Sequence, residues 1–175
     1  MREDDLDALY RRLEKPLCNV LFRWVWSMDE AQDLVQEAFV RLWRMRERVD
    51  MTTVDALVYR IAINLAASRR RTKKVWRWIS LDALHGMSAT RRPADEALAA
   101  RLERERLRAA VDALPEDLRR VIVLCELSEL SYDDIAKVLS IPAGTVGSRR
   151  HRALRRLRAA LSPSRTTDDA RREPV

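Results

Sequence analysis

The chain contains little of several residue types on which common functional sites depend. Its 175 residues include only three glycines, two cysteines and two histidines. Three glycines leave no glycine-rich loop to cradle phosphates, and no paired carboxylates show metal-ligand spacing. His85 and His151 have no recognisable catalytic partners, and Cys18 and Cys125 stand alone among apolar neighbours. We therefore expect buried free thiols, no metal, no cofactor and no catalytic residues.

The sequence also lacks long apolar runs. None approaches the roughly 20 residues that a membrane-spanning helix needs. Residues 1–5 are largely acidic, whereas a signal peptide begins with a positively charged segment. We therefore expect no membrane span and a cytoplasmic location.

Charged and helix-forming residues are abundant instead. Apolar residues make up 47% of the chain and charged residues 35%, enough for a buried core with a polar surface. Few stretches alternate β-branched and polar residues, so the chain is predicted to be all-helical. The net charge of +7 indicates a polyanionic partner, with nucleic acid favoured over a membrane surface. Net charge alone does not exclude an ordinary basic protein.

Apolar periodicity divides the chain into two helical blocks. The first spans residues 1–78 and the second 98–162, and the weakly patterned 79–97 between them contains Gly, Ser, Thr and Pro. The net charge is +4 over 1–78, −1 over 79–97 and +4 over 98–175. The pattern predicts two small helical domains joined by a flexible linker, with a disordered tail at 163–175.

Residues 130–149 carry the most informative pattern in the chain. Ser131 is placed to cap a short helix, Asp134 completes a capping box, and Pro142 prevents that helix from continuing. A second helix is predicted to begin there, and it carries six closely spaced arginines: Arg149, Arg150, Arg152, Arg155, Arg156 and Arg158. Two short helices packed in any all-helical core would show similar capping residues, so the caps alone do not indicate DNA binding. This density of arginine is typical of a helix-turn-helix that contacts DNA.

The first block contains two helices whose exposed sides carry polar residues. Apolar side chains recur at helical spacing over residues 31–43 and again over 54–65. The second of these helices exposes a stripe at intervals of about one turn, namely Arg60, Asn64, Ser68 and Arg71. A basic run at 69–74 follows, with Trp76 and Trp78 beside it, a combination that suits unpaired nucleic acid. A solvated helix face and packed indoles explain the same residues without a nucleic acid.

These motifs together resemble bacterial RNA polymerase sigma factors of the extracytoplasmic-function (ECF) group, in the sigma-70 family. Residues 29–43 read DEAQDLVQEAFVRLW and are similar to the helix of the family's second region. YRIAINLA at 59–66, with the basic run, resembles the promoter-melting helix. ALPEDLRRV at 113–121 and GTVGSRRHRA at 144–153 are similar to the fourth region. The resemblance covers residues 4–162.

For the first lobe the resemblance implies sigma domain 2, a helical bundle that docks on core RNA polymerase and opens the minus-ten element. It places the face of Asp33, Gln36 and Glu37 on the clamp helices of the polymerase β′ subunit. The loop at 49–53, together with Arg60, Asn64 and Ser68, would capture the unpaired minus-ten strand. The backbone of the melting duplex would be held by Arg69, Arg70, Arg71, Lys73 and Lys74.

For the second lobe the resemblance implies sigma domain 4, which reads the minus-thirty-five element and contacts the polymerase β flap. The residues implied in DNA binding are Thr145, Gly147, Ser148, Arg149, His151, Arg152, Arg155 and Arg156. Of these, Arg149, Arg155 and Arg156 would contact phosphates. The linker would run near the RNA exit path, and an anti-sigma factor would cover the docking faces of both lobes.

Three residues depart from the family's pattern. Gly147 stands where a lysine or arginine usually faces the groove, and a glycine within a helix costs about 1 kcal/mol relative to alanine. Arg150 replaces an aliphatic residue on the side expected to pack, so either its charge extends outward over its apolar stem or the helix is rotated. Leu57 stands where many relatives have tryptophan.

The sequence therefore predicts an ECF-type sigma factor that binds core RNA polymerase and directs promoter-specific initiation without covalent chemistry. The alternative is a stand-alone helix-turn-helix regulator, which would bind duplex DNA tightly without polymerase. A nucleic-acid enzyme and an RNA-binding scaffold fit less well, because catalytic constellations and RNA-binding signatures are missing.

Overall fold

The computed structural model describes residues 1–80 and 95–162, with side chains described outside 73–80 and 95–97. Regular structure in these ranges is entirely helical, which confirms the predicted all-α class. Residues 81–94, most of the predicted linker, and the predicted tail at 163–175 lie outside the described residues. The predicted flexibility of both stays a prediction.

Within the described residues, seven α-helices build the two lobes. The first lobe contains α1 (Glu3–Val25), α2 (Met28–Arg44) and α3 (Val54–Ser80), with a short 3-10 turn at Arg46–Arg48. The second lobe contains α4 (Asp95–Ala113), α5 (Glu116–Leu127), α6 (Tyr132–Leu139) and α7 (Ala143–Leu161). Each of the three first-lobe helices packs against the other two, whereas α7 lies across α4, α5 and α6.

The apolar face of α2 forms the centre of the first lobe, as its periodicity predicts. The side chains it buries are Ala31, Leu34, Val35, Ala38, Phe39 and Leu42. Trp43, at the end of the same face, is only half-buried, and the Arg46 guanidinium lies 4.6 Å from its ring centroid. The ring of Tyr10 on α1 meets the ring of Phe39 edge to face at 5.0 Å. Burial of this face supplies the main stabilisation of the bundle.

The predicted helix-turn-helix is present at α6 and α7. The Ser131 hydroxyl accepts a hydrogen bond from the Asp134 N–H at 3.1 Å and donates one to its carboxylate at 2.6 Å. The hydrogen bond from Ser131, supported by Lys137, lowers the pKa of Asp134. Ser140 ends α6 in the left-handed conformation (φ 53°), and Pro142 directly precedes α7. The Ser131 cap and Pro142 therefore mark the start of α6 and the start of α7, as the sequence predicts.

The two lobes contact each other directly, which the sequence did not predict. Helix α5 packs against α1, and α6 packs against α3, so their buried side chains form one continuous apolar core. The side chain of Tyr59 on α3 is buried, and burial raises the pKa of Tyr59 to about 12, with Glu129 of the second lobe contributing. Helix α3 thus packs against helices of both lobes.

The two thiols lie in separate lobes and are half-buried. Cys18 lies on α1 and Cys125 on α5, and neither forms a disulfide. Burial raises the pKa of both Cys18 and Cys125 above the ordinary value of a thiol. Both are therefore protonated at neutral pH, which keeps their reactivity low.

A buried arginine connects the elements around the junction of the lobes. Arg119 on α5 is 5% exposed, and it donates hydrogen bonds to the backbone carbonyls of Val111 at 2.9 Å, Asp112 at 2.8 Å and Leu114 at 2.5 Å. Its guanidinium also lies 5.7 Å from the ring centroid of Trp24 on α1. Arg119 therefore satisfies the carbonyls at the end of α4 and contacts the first lobe with the same side chain.

We expect Arg119→Lys to lower the free energy of unfolding by about 3 kcal/mol, because an ammonium group keeps the buried charge without reaching all three carbonyls. Urea denaturation followed by circular dichroism measures the change. The same substitution at exposed Arg155 is the control and should change stability by less than about 0.5 kcal/mol. Equal effects of the two substitutions would show that the carbonyl contacts do not matter.

Candidate nucleic-acid interface

One face of α7 is open and basic. Val146 and Ala153 are buried and attach the helix to its lobe. The predicted DNA-binding residues on the opposite side are exposed: Ser148, His151, Arg152, Arg155 and Arg156. Among the residues that the structure describes, no carboxylate forms an ion pair with Arg152, Arg155 or Arg156. Guanidinium groups free of carboxylates are available to phosphates and to base edges.

Three other predicted residues on α7, namely Thr145, Gly147 and Arg149, are only partly exposed. Thr145 is half-buried, and its backbone carbonyl accepts a hydrogen bond from the Ser148 hydroxyl at 3.1 Å. The Arg149 guanidinium faces Asp117 on α5 at 3.6 Å, and its Nε is buried without a hydrogen-bond partner among the described residues. Arg149 is therefore turned toward the protein, whereas the prediction placed it on a DNA phosphate.

The structure explains how Arg150 is accommodated on the packing side of α7. Its Nε donates a hydrogen bond to the Glu126 carboxylate on α5 at 2.8 Å. This contact raises the pKa of Arg150 further above its ordinary value. The charge is thus paired at the edge of the lobe, and the helix needs no rotation to accept it.

The polar stripe predicted on α3 is exposed at regular intervals. Its members Arg60, Asn64, Ser68 and Arg71 all lie on the surface. Arg69 and Arg70 are half-buried, with Arg69 at 4.0 Å from Glu37. The side chains of Lys73 and Lys74 lie outside the described residues. One turn of spacing places the stripe along a single edge of the helix.

The loop before α3 is organised by Asp50. Its carboxylate accepts hydrogen bonds from the backbone N–H of Thr52 at 2.9 Å and from the Thr52 hydroxyl at 2.8 Å. These bonds lower the pKa of Asp50. Met51, at the tip of the loop, is 46% exposed. An apolar side chain held outward by a fixed turn can contact the face of an unpaired base.

The predicted docking face on α2 is only partly free. Asp33 and Gln36 are exposed, whereas the Glu37 carboxylate binds Arg41 at 2.7 Å and lies 4.0 Å from Arg69. A groove of about 570 Å³ borders Gln36 between α1 and α2, and its walls include Tyr10 and the exposed Met28. The sequence did not indicate this groove, since its two walls come from different helices.

Residues of the second lobe lie against the α3 stripe, and the sequence did not predict these contacts either. Arg120 on α5 donates a hydrogen bond to the Asn64 side-chain oxygen at 3.2 Å. Glu116 lies 3.8 Å from Arg71, and the Asp112 carboxylate lies 3.4 Å from Arg70. No local pattern marks these residues, because their importance arises only from the packing of two distant parts of the chain.

The geometry defines a class of protein: two helical lobes, each with an exposed basic helix, one of them in a helix-turn-helix. Within residues 1–80 and 95–162, no group of three or more His, Cys, Asp or Glu side chains could hold a metal ion. No helix in the same ranges is long and apolar enough to cross a membrane. Exposed basic helices, one of them in a helix-turn-helix, are typical of a nucleic-acid-binding protein.

Comparison with protein families assigns both lobes. Residues 9–75 match the model of sigma-70 region 2, and residues 104–157 match the model of sigma-70 region 4. The first match contains α2 and the α3 stripe, and the second contains α5, α6 and most of α7.

Individual relatives agree with the family models. The chain is 31% identical to the ECF RNA polymerase sigma factor SigE of Mycolicibacterium smegmatis, in a match covering 89% of this chain and 61% of SigE. It is 33% identical to the RNA polymerase sigma-H factor of Pseudomonas aeruginosa, covering 90% of this chain and 86% of that one. The chain therefore spans less than two thirds of SigE.

A solved structure has the same fold. The sigma factor RpoE of Bartonella quintana, in complex with the anti-sigma factor NepR, superimposes with a TM-score of 0.66 at 25% identity. The match covers 92% of this chain and 99% of that one. The chain belongs to the sigma-70 family of RNA polymerase sigma factors, in its ECF group.

We expect Gly147→Ala to raise the free energy of unfolding by about 1 kcal/mol, the helix propensity that glycine lacks. A Cβ at Gly147 would meet its nearest neighbour, the Tyr132 ring, at an ordinary 3.8 Å, so no clash opposes the gain. Chemical denaturation measures the change. Gly144→Ala, in the first turn of α7 with nothing within 4 Å, is the control and should gain less. A lower free energy of unfolding for the Gly147→Ala variant would contradict the placement of Gly147 within helix α7.

Proposed function

We propose that the chain binds core RNA polymerase and directs it to a set of promoters, without covalent chemistry of its own. The observation that carries the proposal is the presence of two exposed basic helices, α3 and α7, on separate lobes that match sigma-70 regions 2 and 4. One surface reads duplex DNA and the other holds an unpaired strand. Transcription initiation needs both surfaces, because the promoter is bound both as a duplex and with its strands separated.

On the second lobe, α7 enters the major groove of the minus-thirty-five element. His151 and Arg152 lie at the centre of the open face and contact base edges, whereas Arg155 and Arg156 contact phosphates. Thr145, Gly147 and Ser148 border the same face near the helix N-terminus. Arg149 contributes only after leaving Asp117, because its guanidinium faces that carboxylate.

On the first lobe, the stripe of Arg60, Asn64 and Ser68 holds the unpaired minus-ten strand together with the loop at 49–53. Extruding a base from the duplex costs a few kcal/mol, which pocketing of that base offsets. The basic run at 69–74 follows on the same helix and stabilises the melted backbone through its positive charge. The strand thus lies along α3 from its first turns toward its C-terminal half.

The α2 face of Asp33, Gln36 and Glu37 docks on the β′ clamp helices, and the second lobe contacts the β flap. The groove beside Gln36 adds apolar surface to that face. Because RpoE of Bartonella quintana is found in complex with the anti-sigma factor NepR, we propose an anti-sigma factor as a further partner of this chain. It would compete with polymerase for the docking faces.

Run-off transcription with bacterial core polymerase, with and without the protein, on a pooled promoter library tests the proposal. Discrete start sites that depend on the protein are the expected result. If core polymerase gains no specificity while the protein alone binds duplex DNA tightly, the stand-alone helix-turn-helix regulator becomes the correct assignment.

We expect Arg152→Ala to weaken promoter use by about 1–3 kcal/mol, and unequally across minus-thirty-five variants, because a base contact is lost. Transcription from a panel of single-base promoter variants measures this. Arg158→Ala is the control, since it removes the same exposed charge from the end of the helix. A uniform loss across the panel would make Arg152 a phosphate contact.

We expect Glu37→Lys to weaken binding to core polymerase at least about tenfold, since it places a cation where a carboxylate is proposed to contact the clamp, a difference of about 1.4 kcal/mol. Affinity capture with core polymerase measures binding. Glu47→Lys, at an exposed position in the turn after α2, controls for net charge. Because Glu37 also binds Arg41, a thermal melt of each variant establishes that the lobe stays folded. Unchanged docking by a folded Glu37→Lys protein would refute the role.

A further inference from the structure

The arginines of α7 that we assign to DNA differ in what already holds them. Arg152, Arg155 and Arg156 are exposed, and no carboxylate in the described part of the chain forms an ion pair with them. The side chain of Arg149 is only 26% exposed, and its Nε lies 3.6 Å from Oδ2 of Asp117. One of the four guanidinium groups is therefore held by the protein itself.

Asp117 lies where α5 meets α7. It stands in the first turn of α5, and the two helices pack against each other. Its side chain is 46% exposed, so the carboxylate lies at the surface of the lobe and not in its core. The neighbouring Glu116 binds Arg120 on its own helix at 2.6 Å. Of the two acidic residues in this turn, Asp117 is thus the one whose ion pair reaches α7.

The contact between Asp117 and Arg149 is electrostatic and not a directed hydrogen bond. The distance of 3.6 Å exceeds the range of an N–H···O hydrogen bond, and Arg149 Nε is buried without a hydrogen-bond partner among the described residues. A DNA phosphate would offer this guanidinium the charge-assisted hydrogen bonds that it lacks here. To reach a phosphate, however, Arg149 has to leave the carboxylate.

Asp117 therefore opposes duplex binding in two ways. It attracts a guanidinium that would otherwise be available to a phosphate, and it places a negative charge beside the helix that enters the groove. Like charges repel, so the carboxylate also disfavours the approach of the DNA backbone. Both effects act on the backbone, which has the same charge in every sequence, so they lower the affinity for all duplexes alike.

We propose that Asp117 sets the duplex affinity of the second lobe by holding Arg149 away from the DNA backbone. The inference rests on the proposed function, since it takes α7 as the helix that binds duplex DNA. With this contact in place, less of the free chain is retained on DNA that contains no promoter. On core polymerase the lost affinity matters less, because the first lobe holds the second near its target at high effective concentration.

The test measures binding of the full chain to a fluorescein-labelled DNA duplex two helical turns long, by anisotropy over a series of salt concentrations. Asp117→Asn removes the charge at nearly constant shape, and Arg149→Ala, alone and combined with it, completes a double-mutant cycle. Asp117→Glu keeps the charge. Asp7→Asn, which removes an exposed carboxylate from α1, controls for net charge. Arg156→Ala removes an arginine that has no carboxylate partner among the described residues.

We expect Asp117→Asn to bind the duplex about fivefold more tightly than wild type, the upper end for release of a partly exposed ion pair. The slope of log affinity against log salt should steepen by about 0.9, because one further phosphate is contacted. Arg149→Ala should weaken the wild-type chain less than Arg156→Ala does, yet cancel most of the gain from Asp117→Asn. Asp117→Glu and Asp7→Asn should each gain less than twofold.

Two results overturn the proposal. A gain from Asp117→Asn below twofold, or a loss, shows that the carboxylate does not limit duplex binding. An equal gain with and without Arg149 shows that the carboxylate acts only through its long-range charge and does not hold the arginine. Thermal melts establish that each variant is folded, and Asp117→Ser takes the place of Asp117→Asn if that variant is not.

Run-off transcription with the wild-type chain separates failure of this inference from failure of the proposed function. A chain that directs core polymerase while the cycle shows no coupling keeps the sigma function and loses only the role of Asp117. Coupling in a chain that gives core polymerase no specificity leaves the role of Asp117 in duplex binding and removes the sigma function.

Discussion

The contact between the two lobes depends on the buried guanidinium of Arg119. It satisfies three backbone carbonyls where α4 turns into α5, and it lies over the ring of Trp24 in the other lobe. A helix end without such a donor would leave its carbonyls unsatisfied next to the core. Because α5 starts at this point, the same contact determines where Glu116 and Arg120 stand relative to α3. The covering of the α3 stripe is therefore a consequence of how α4 ends.

The helices themselves could be predicted from the sequence because their signals are local. Apolar residues at helical spacing predicted α2 and the first half of α3, and Ser131 with Pro142 predicted the turn between α6 and α7. The contact between the lobes has no such signal. Arg119 and Arg120 are neighbours in the sequence, yet the first is buried and the second binds Asn64 at the surface. Only the packing of two distant segments distinguishes them.

In the candidate site too, the sequence predicts the positions of the charged side chains but not their pairing. Spacing along α3 and α7 predicted which side chains lie on the open faces, since position on a helix follows from the sequence number. It did not predict which arginines are already paired: Arg149 faces Asp117, and Arg152 has no carboxylate partner among the described residues. Free and paired arginines differ in what they can offer to DNA, because a paired one must first exchange partners. The available charge on α7 is thus smaller than its composition suggests.

Asp112 takes part in the contact between the lobes with both its backbone oxygen and its carboxylate. Its backbone oxygen accepts from Arg70 and Arg119, whereas its carboxylate accepts from Trp26 and lies beside Arg70 and Arg108. The backbone oxygen remains whatever side chain occupies the position, so substitution here removes only part of the contact. Side chains of different length or charge at this position would therefore weaken the contact between the lobes in graded steps, while the two backbone hydrogen bonds keep the end of α4 attached to both lobes.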